Sequence, residues 1–364
     1  MRISDVETPA ILIDLDVMER NLQRVAAYAA GHDLRLRPHT KTHKIPALGR
    51  KQIELGAVGL TVAKVGEAEV MLDSGTPDLL VAYPVIGRKK LERLMEVARK
   101  TRVTVALDSL VAARQLSEAA RSAAVDVSVL AEMDAGLNRV GVNPGPELIT
   151  LARAIANLPR LSLEGFAFYP GHIKQMDEEA EEQIAKLSQL VERTAREWRS
   201  AGLAVNVVSG GSTPALYHSH EVAGLNEIRP GTYIFNDRNT AELNACSYDD
   251  CAASILCTVV SNARPHQIIL DGGSKTFSSD KLATGEPGFG MLVEAPGALF
   301  AKMNEEHGYV DLQRAERTDF SVGDKVRVIP NHVCVAMNLH EQVYGVRNGI
   351  VEEVWTVAAR GKLQ

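Results

Sequence analysis

Short apolar runs alternate with longer amphipathic stretches through the first two-thirds of the chain. Runs at residues 34–37, 58–62, 79–82, 103–107, 127–132, 163–168, 205–208 and 227–229 have the character of strands. Between them, 17–30, 65–74, 89–98, 110–120 and 180–200 suit amphipathic helices. Strand–helix alternation predicts parallel strands joined by helical crossovers. Such units over roughly 230 residues match the size of a (β/α)8 barrel. An open doubly wound sheet is the alternative, but no GxGxxG follows the first strand. Near residue 245 the pattern changes. Runs at 254–260, 267–270, 325–329 and 351–357 follow without long helices, separated by turn clusters such as Asp271-Gly272-Gly273 and Gly285-Glu286-Pro287-Gly288. These predict an antiparallel β domain. The expected α/β architecture is therefore a TIM-like barrel over residues 10–245 and a β domain over 246–364, which residues 1–9 join.

Composition narrows the function. The chain has 364 residues, 45% hydrophobic and 24% charged, enough for one large domain or two medium ones. A formal net charge of −6 argues against a general binder of nucleic acid or anionic membranes. No window approaches the apolar length of a membrane-spanning helix, and MRISDVETPA does not read as a signal peptide. Cys246, Cys251, Cys257 and Cys334 form no CxxC pair, so a reducing cytoplasm is expected.

In a barrel, chemistry gathers where the strands' C-terminal ends meet the following loops. The octet Arg37-Pro38-His39-Thr40-Lys41-Thr42-His43-Lys44 sits at such an end. A lysine held there among other cationic groups suits a Schiff base, and the pattern leaves both Lys41 and Lys44 as candidates. Equivalent ends carry Asp134–Arg139, Tyr169-Pro170-Gly171-His172, Ser209-Gly210-Gly211-Ser212-Thr213-Pro214 and Arg229-Pro230-Gly231-Thr232-Tyr233. Paired glycines let backbone N–H groups approach an anion, and the loops after strands seven and eight are the habitual phosphate site of this fold. A phosphate site opposite a Schiff-base lysine suggests pyridoxal phosphate (PLP). In Asn331-His332-Val333-Cys334, a continuing strand would point His332 and Cys334 to one face. Imidazole with thiolate favours zinc, and two protein ligands leave positions open for water or substrate. His218 and His220 read as solvated, His32 as ending a helix, and the acidic run at 177–182 as starting one.

Taken together, these residues resemble the fold-type III PLP enzymes of the D-threonine aldolase and D-serine dehydratase family. The likeness spans almost the whole chain. It includes Thr8–Asp16, the octet, Val65-Gly66-Glu67-Ala68-Glu69, Asn138–Val142, Glu305-Glu306-His307-Gly308 and 330–339. The resemblance implies that Lys41 carries the cofactor, with His39 beside it, that Arg139 lies near the ring nitrogen, and that Tyr169 contacts the ring. It implies a phosphate held by Ser209, Gly210, Gly211, Ser212, Thr213, Gly231, Thr232 and Tyr233, and a metal held by His332 and Cys334. It also implies a homodimer whose active sites combine the barrel of one subunit with the β domain of the other.

Two departures stand out. The aldolases of this family carry His-x-Asp at the metal, usually manganese or magnesium, whereas the dehydratases carry His-x-Cys with zinc; this chain has Cys334 but an aldolase-like ending. The aldolases' catalytic histidine also lies further from the cofactor tyrosine than His172 lies from Tyr169. The expected activity is retro-aldol cleavage of D-β-hydroxy-α-amino acids, with His172 as base. The alternative is elimination to a 2-oxo acid and ammonia. A racemase needs no metal, and a PLP carrier needs no β domain.

Overall fold

The computed structural model describes residues 1–364 and divides into two compact units. One comprises 24–41, 46–231 and 361–364, the other 1–23, 42–45 and 232–360.

The first unit is the barrel. Its parallel strands are Arg35–Leu36, Leu60–Val62, Asp78–Val81, Arg102–Leu107, Val127–Met133, Leu161–Phe168, Val207–Gly210 and Glu227–Ile228. From Leu60–Val62 onward they neighbour one another in chain order, and Arg35–Leu36 completes the eight-stranded sheet beside Glu227–Ile228. A parallel bridge between His39 and Thr61 brings the two ends together. There the Thr40 N–H donates to the Thr61 carbonyl and the Thr61 N–H to the Pro38 carbonyl, both at 2.8 Å. Leu80, Ala106, Leu130 and Ala167, one from each of four neighbouring strands, form a buried apolar cluster. Outside the sheet, the fully buried Trp198 lies against Phe166, ring centroids 5.3 Å apart.

The predicted helices are present to within a few residues, and Glu178–Ser200 begins as its acidic run predicts: the Asp177 carboxylate accepts the Ala180 N–H. Two crossover helices, Pro46–Glu54 and Pro146–Ala156, are not among the sequence expectations. A proline in the first turn costs no intrahelical hydrogen bond and starts a helix as readily as it breaks one.

The second unit is a nine-stranded, mostly antiparallel sheet. Ala253–Arg264 is its centre, pairing with Ala10–Asp14, Gln267–Leu270 and Lys325–Pro330. Ala10–Asp14 also runs parallel to Gln342–Arg347. The sequence boundary at residue 10 therefore moves: residues 1–23 and 232–245 group with the β sheet rather than the barrel. A short buried run announces a strand but not which sheet it joins. No helix is long and apolar enough to cross a membrane.

Candidate active site

Three loops meet at the C-terminal mouth of the barrel because their backbones are zipped together. The His39 N–H donates to the Pro230 carbonyl at 2.9 Å, and the Arg229 N–H to the Gly210 carbonyl at 3.0 Å. The octet thus stands beside the Gly231 loop, and that loop beside Gly210-Gly211-Ser212. Lys41 is exposed, and its amine makes no hydrogen bond or ion pair; its N–H turns back to His39 Nδ1 at 3.3 Å. Lys44, by contrast, is buried, and its Nζ donates to Asn338 Oδ1 at 2.7 Å.

Both glycines of the next loop are required by geometry. A Cβ at Gly210 would stand 2.4 Å from the Phe168 ring, and Gly211 adopts φ +90°, which favours glycine. Ser212 is buried, its hydroxyl accepting the Ala215 N–H at 3.3 Å. Across the mouth, the Arg139 guanidinium lies 4.9 Å from the centroid of the Tyr169 ring, and that ring fills the space a Cβ on Gly171 would need. His172 packs over Gly136, and its Nδ1 is buried without a hydrogen-bond partner. A buried nitrogen left unpaired is costly and marks a place where a ligand completes the bonding. These features fit PLP: a free amine, a backbone cradle, an arginine stacked on a tyrosine, and an imidazole nitrogen without a partner.

Beneath the mouth lies a buried charge network. Arg229 donates from Nη1 to Ser209 Oγ at 2.6 Å and from Nη2 to the Phe168 carbonyl at 3.0 Å. The Ser209 hydroxyl donates in turn to Glu227 Oε1 at 2.6 Å, and Glu227 pairs with Arg37 at 3.0 Å. Arg37 also pairs with Asp78 at 3.0 Å. Burial holds the neighbouring Glu132 carboxyl above its usual range, against the opposing charges of Arg229 and Arg139. Arg229 therefore ties the end of the Tyr169 strand to the start of the Gly210 loop, which fixes both. The Ser209 hydroxyl, expected at the phosphate, is bonded instead to Glu227 and Arg229.

In the other unit, the Lys325–Pro330 strand stops at its proline. His332 is the N-cap residue of helix Val333–Leu339, and Cys334 lies in the helix's first turn. The two side chains meet, though not by the strand alternation expected. Asp237, itself the cap of helix Arg238–Glu242, accepts the Val333 N–H at 3.0 Å and holds this helix start in place. Asp280 Oδ2 lies 2.7 Å from His332 Nδ1. A carboxylate on Nδ1 orients the ring, so that Nε2 can take a metal once its proton is lost. Burial opposes protonation of His332. The hydrogen bond and charge of Cys334, the charge of Asp237 and the bond to Asp280 outweigh it and raise the imidazole to about 10. Thr42 Oγ1 and Thr232 Oγ1 lie 3.2 and 3.7 Å from Cys334 Sγ. No cluster of three or more His, Cys, Asp or Glu side chains is arranged to hold a metal, so the pair offers two ligands and leaves other positions open. Thr232 and Tyr233 begin a 3₁₀ turn in this unit, with Tyr233 buried.

Sequence reasoning missed Asp280 and Asp237, and it placed Arg229 in a loop cluster without giving it a role. Asp280 is 52 residues from His332, and no spacing rule links them. Arg229 carried a weak signal, a charge ending an apolar run. Asp280→Asn is expected to weaken zinc binding by about 10–100-fold, read by chelator competition, because it removes the charge that orients His332. His220 is exposed, as expected of a solvated residue, and also joins a surface ring cluster. His32 and His220 stack with centroids 4.1 Å apart, and Tyr28 Oη lies 2.9 Å from His220 Nδ1.

Two family models match the chain: alanine racemase, N-terminal domain, over residues 13–239, and putative serine dehydratase domain over residues 252–346. A D-threonine aldolase from Arthrobacter sp is 31% identical over 99% of this chain and 94% of its own length. A 3-hydroxy-D-aspartate aldolase from Paracoccus denitrificans (strain Pd 1222) is 33% identical over 99% of this chain and 93% of its own. A D-threo-3-hydroxyaspartate dehydratase from Delftia sp. (strain HT23) is 31% identical over 90% of this chain and 91% of its own. The crystal structure of a D-threonine aldolase from Filomicrobium marinum matches with a TM-score of 0.93 at 34% identity, covering 100% of this chain and 98% of that one. A D-threo-3-hydroxyaspartate dehydratase solved as a cysteine-to-alanine variant in the metal-free form matches with a TM-score of 0.91 at 27% identity, covering 98% of each chain. A histidine-to-alanine variant of such an enzyme is also solved, its substituted position two residues before that cysteine.

Proposed function

This chain belongs to the alanine-racemase-like family, among the D-threonine and 3-hydroxy-D-aspartate aldolases and related dehydratases, and we propose that it is a PLP-dependent, metal-assisted lyase cleaving D-β-hydroxy-α-amino acids to glycine and an aldehyde. The observation that carries the metal-assisted reading is the His332/Cys334 pair, oriented by Asp280 and short of a full ligand set. An open divalent site is what a substrate hydroxyl needs.

When bound, PLP supplies an electron sink for charge at the substrate Cα, and a divalent ion polarises the β-hydroxyl. The residues divide the remaining work. Lys41 would hold the cofactor through its unpartnered amine. Gly210, Gly211, Ser212 and Gly231 present the phosphate cradle, extended by Thr213, Thr232 and Tyr233. Arg139 and Tyr169 would lie against the cofactor ring. His332 and Cys334 hold the ion, zinc by the softness of the thiolate. His172 accepts the β-hydroxyl proton at its unsatisfied imidazole. The Cα–Cβ bond then breaks, with its electron pair left at Cα.

A second reading is favoured by Cys334. If Lys41 removes the Cα proton and the hydroxyl leaves instead, the products are a 2-oxo acid and ammonia. Purified enzyme with PLP and zinc or manganese should be given D-threonine, D-phenylserine and D-serine separately. Glycine with aldehyde supports the aldolase, and 2-oxo acid with ammonia supports the dehydratase. Turnover of none of them sinks the lyase reading. We also propose a cytoplasmic homodimer without nucleic-acid or membrane partners, tested by sedimentation and cell fractionation.

A further inference from the structure

Lys64 stands two residues past the end of the Leu60–Val62 strand, and Tyr83 two past Asp78–Val81. Both are on the barrel face that carries Lys41. The Lys64 ammonium sits 3.7 Å from the centroid of the Tyr83 ring. It is half-buried, and no carboxylate, carbonyl or other hydrogen-bond acceptor meets it. Two other lysines with little solvent have hydrogen-bond acceptors: Lys44 has Asn338, and Lys325 the carbonyls of Ser4 and Val6. An ammonium resting on an aromatic face without a counter-ion keeps its three N–H donors available to an incoming anion. Tyr83 is itself 46% exposed, so the pair opens to solvent.

Its place in the strand order says which anion it meets. The Gly210 and Gly231 loops follow Val207–Gly210 and Glu227–Ile228; next comes Arg35–Leu36, which leads to Lys41, and then Leu60–Val62, which leads to Lys64. The Thr40 N–H bonded to the Thr61 carbonyl holds the last two side by side. Lys64 therefore follows Lys41 on the side away from the Gly210 and Gly231 loops, where a substrate held next to Lys41 would come within reach of it. A compact ammonium on a flexible stem suits a carboxylate there.

We propose that Lys64, steadied by Tyr83, receives a carboxylate of the amino-acid substrate. This rests on the lyase reading above. The carboxylate is either the α-carboxylate common to all substrates or a second one on the β-carbon, which would make the enzyme selective for 3-hydroxyaspartate-type diacids.

The test uses PLP-loaded, zinc-loaded enzyme with Lys64→Met, Lys64→Arg and Tyr83→Phe. KM and kcat are measured with D-threonine and D-threo-3-hydroxyaspartate. Binding of D-aspartate, which lacks the hydroxyl, is followed by calorimetry as a readout free of turnover. Lys64→Met should raise KM at least about tenfold, with a smaller change in kcat and an unaltered cofactor absorbance. Lys64→Arg should recover part of the loss, and Tyr83→Phe, which keeps the ring, should stay near wild type. Loss on both substrates assigns the α-carboxylate; loss on the diacid and on D-aspartate alone assigns the β-carboxylate. KM and D-aspartate affinity within about twofold of wild type overturn the proposal, as does loss of PLP from Lys64→Met, which would put the lysine on the cofactor. If wild type turns over neither substrate the lyase reading falls, while the D-aspartate comparison still decides Lys64.

Discussion

Lys41→Ala is expected to abolish the absorbance of lysine-bound PLP and to lower turnover by at least about 10³-fold, since the covalent route through the amine is lost. Its neighbour in the octet provides the contrast. The Lys44 amine is buried on Asn338, and the Lys44 carbonyl accepts the Ala359 N–H at 3.1 Å, so its work is to hold the β-domain unit together. Lys44→Met should therefore destabilise the protein while keeping the lysine-bound absorbance. The two variants are read by absorbance and by thermal unfolding with excess PLP. The assignment of Lys41 is lost if Lys41→Ala keeps the band and Lys44→Met loses it.

The second large effect concerns the metal. Stripping the protein with chelator, or His332→Ala, is expected to cost about 10³-fold in kcat, the equivalent of roughly 4 kcal/mol of polarisation at the β-hydroxyl. Readdition of zinc should restore the stripped wild type but not His332→Ala. Cys334→Asp exchanges a soft ligand for a hard one and should move the preference from zinc toward manganese or magnesium. Activation profiles across the three ions check this. Full activity in the presence of chelator, with a metal content near zero, would remove the metal from the mechanism and favour a racemase-type reaction.

The histidine–cysteine pair illustrates how a right grouping can have a wrong structural reason. The alternation of 325–329 suggested a strand running on through His332 and Cys334. The strand ends at Pro330, and the pair is set by a helix start whose first N–H is held by Asp237. Spacing of two residues is compatible with both arrangements, and only the capping bond separates them. Ser209 is the opposite case. It belongs to a Ser-Gly-Gly-Ser run that suits a phosphate, yet its side chain turns inward to Glu227 and Arg229. Alternation at the end of a strand divides neighbouring side chains between inside and mouth, so a cluster in the sequence is not a cluster in space.

The sequence by itself determined the barrel, the β domain and the chemistry on offer. Apolar periodicity records which residues avoid water, and a lysine, paired glycines or a thiol is chemically specific wherever it stands. The tertiary structure decided what contacts over long chain separations decide: that Ala10–Asp14 joins the β sheet, that Asp280 orients His332, that Arg229 ties Phe168 to Ser209, and that the Lys41 amine is unpartnered while that of Lys44 is bonded. Each of these depends on side chains meeting across tens to hundreds of residues, and local pattern carries no term for such meetings.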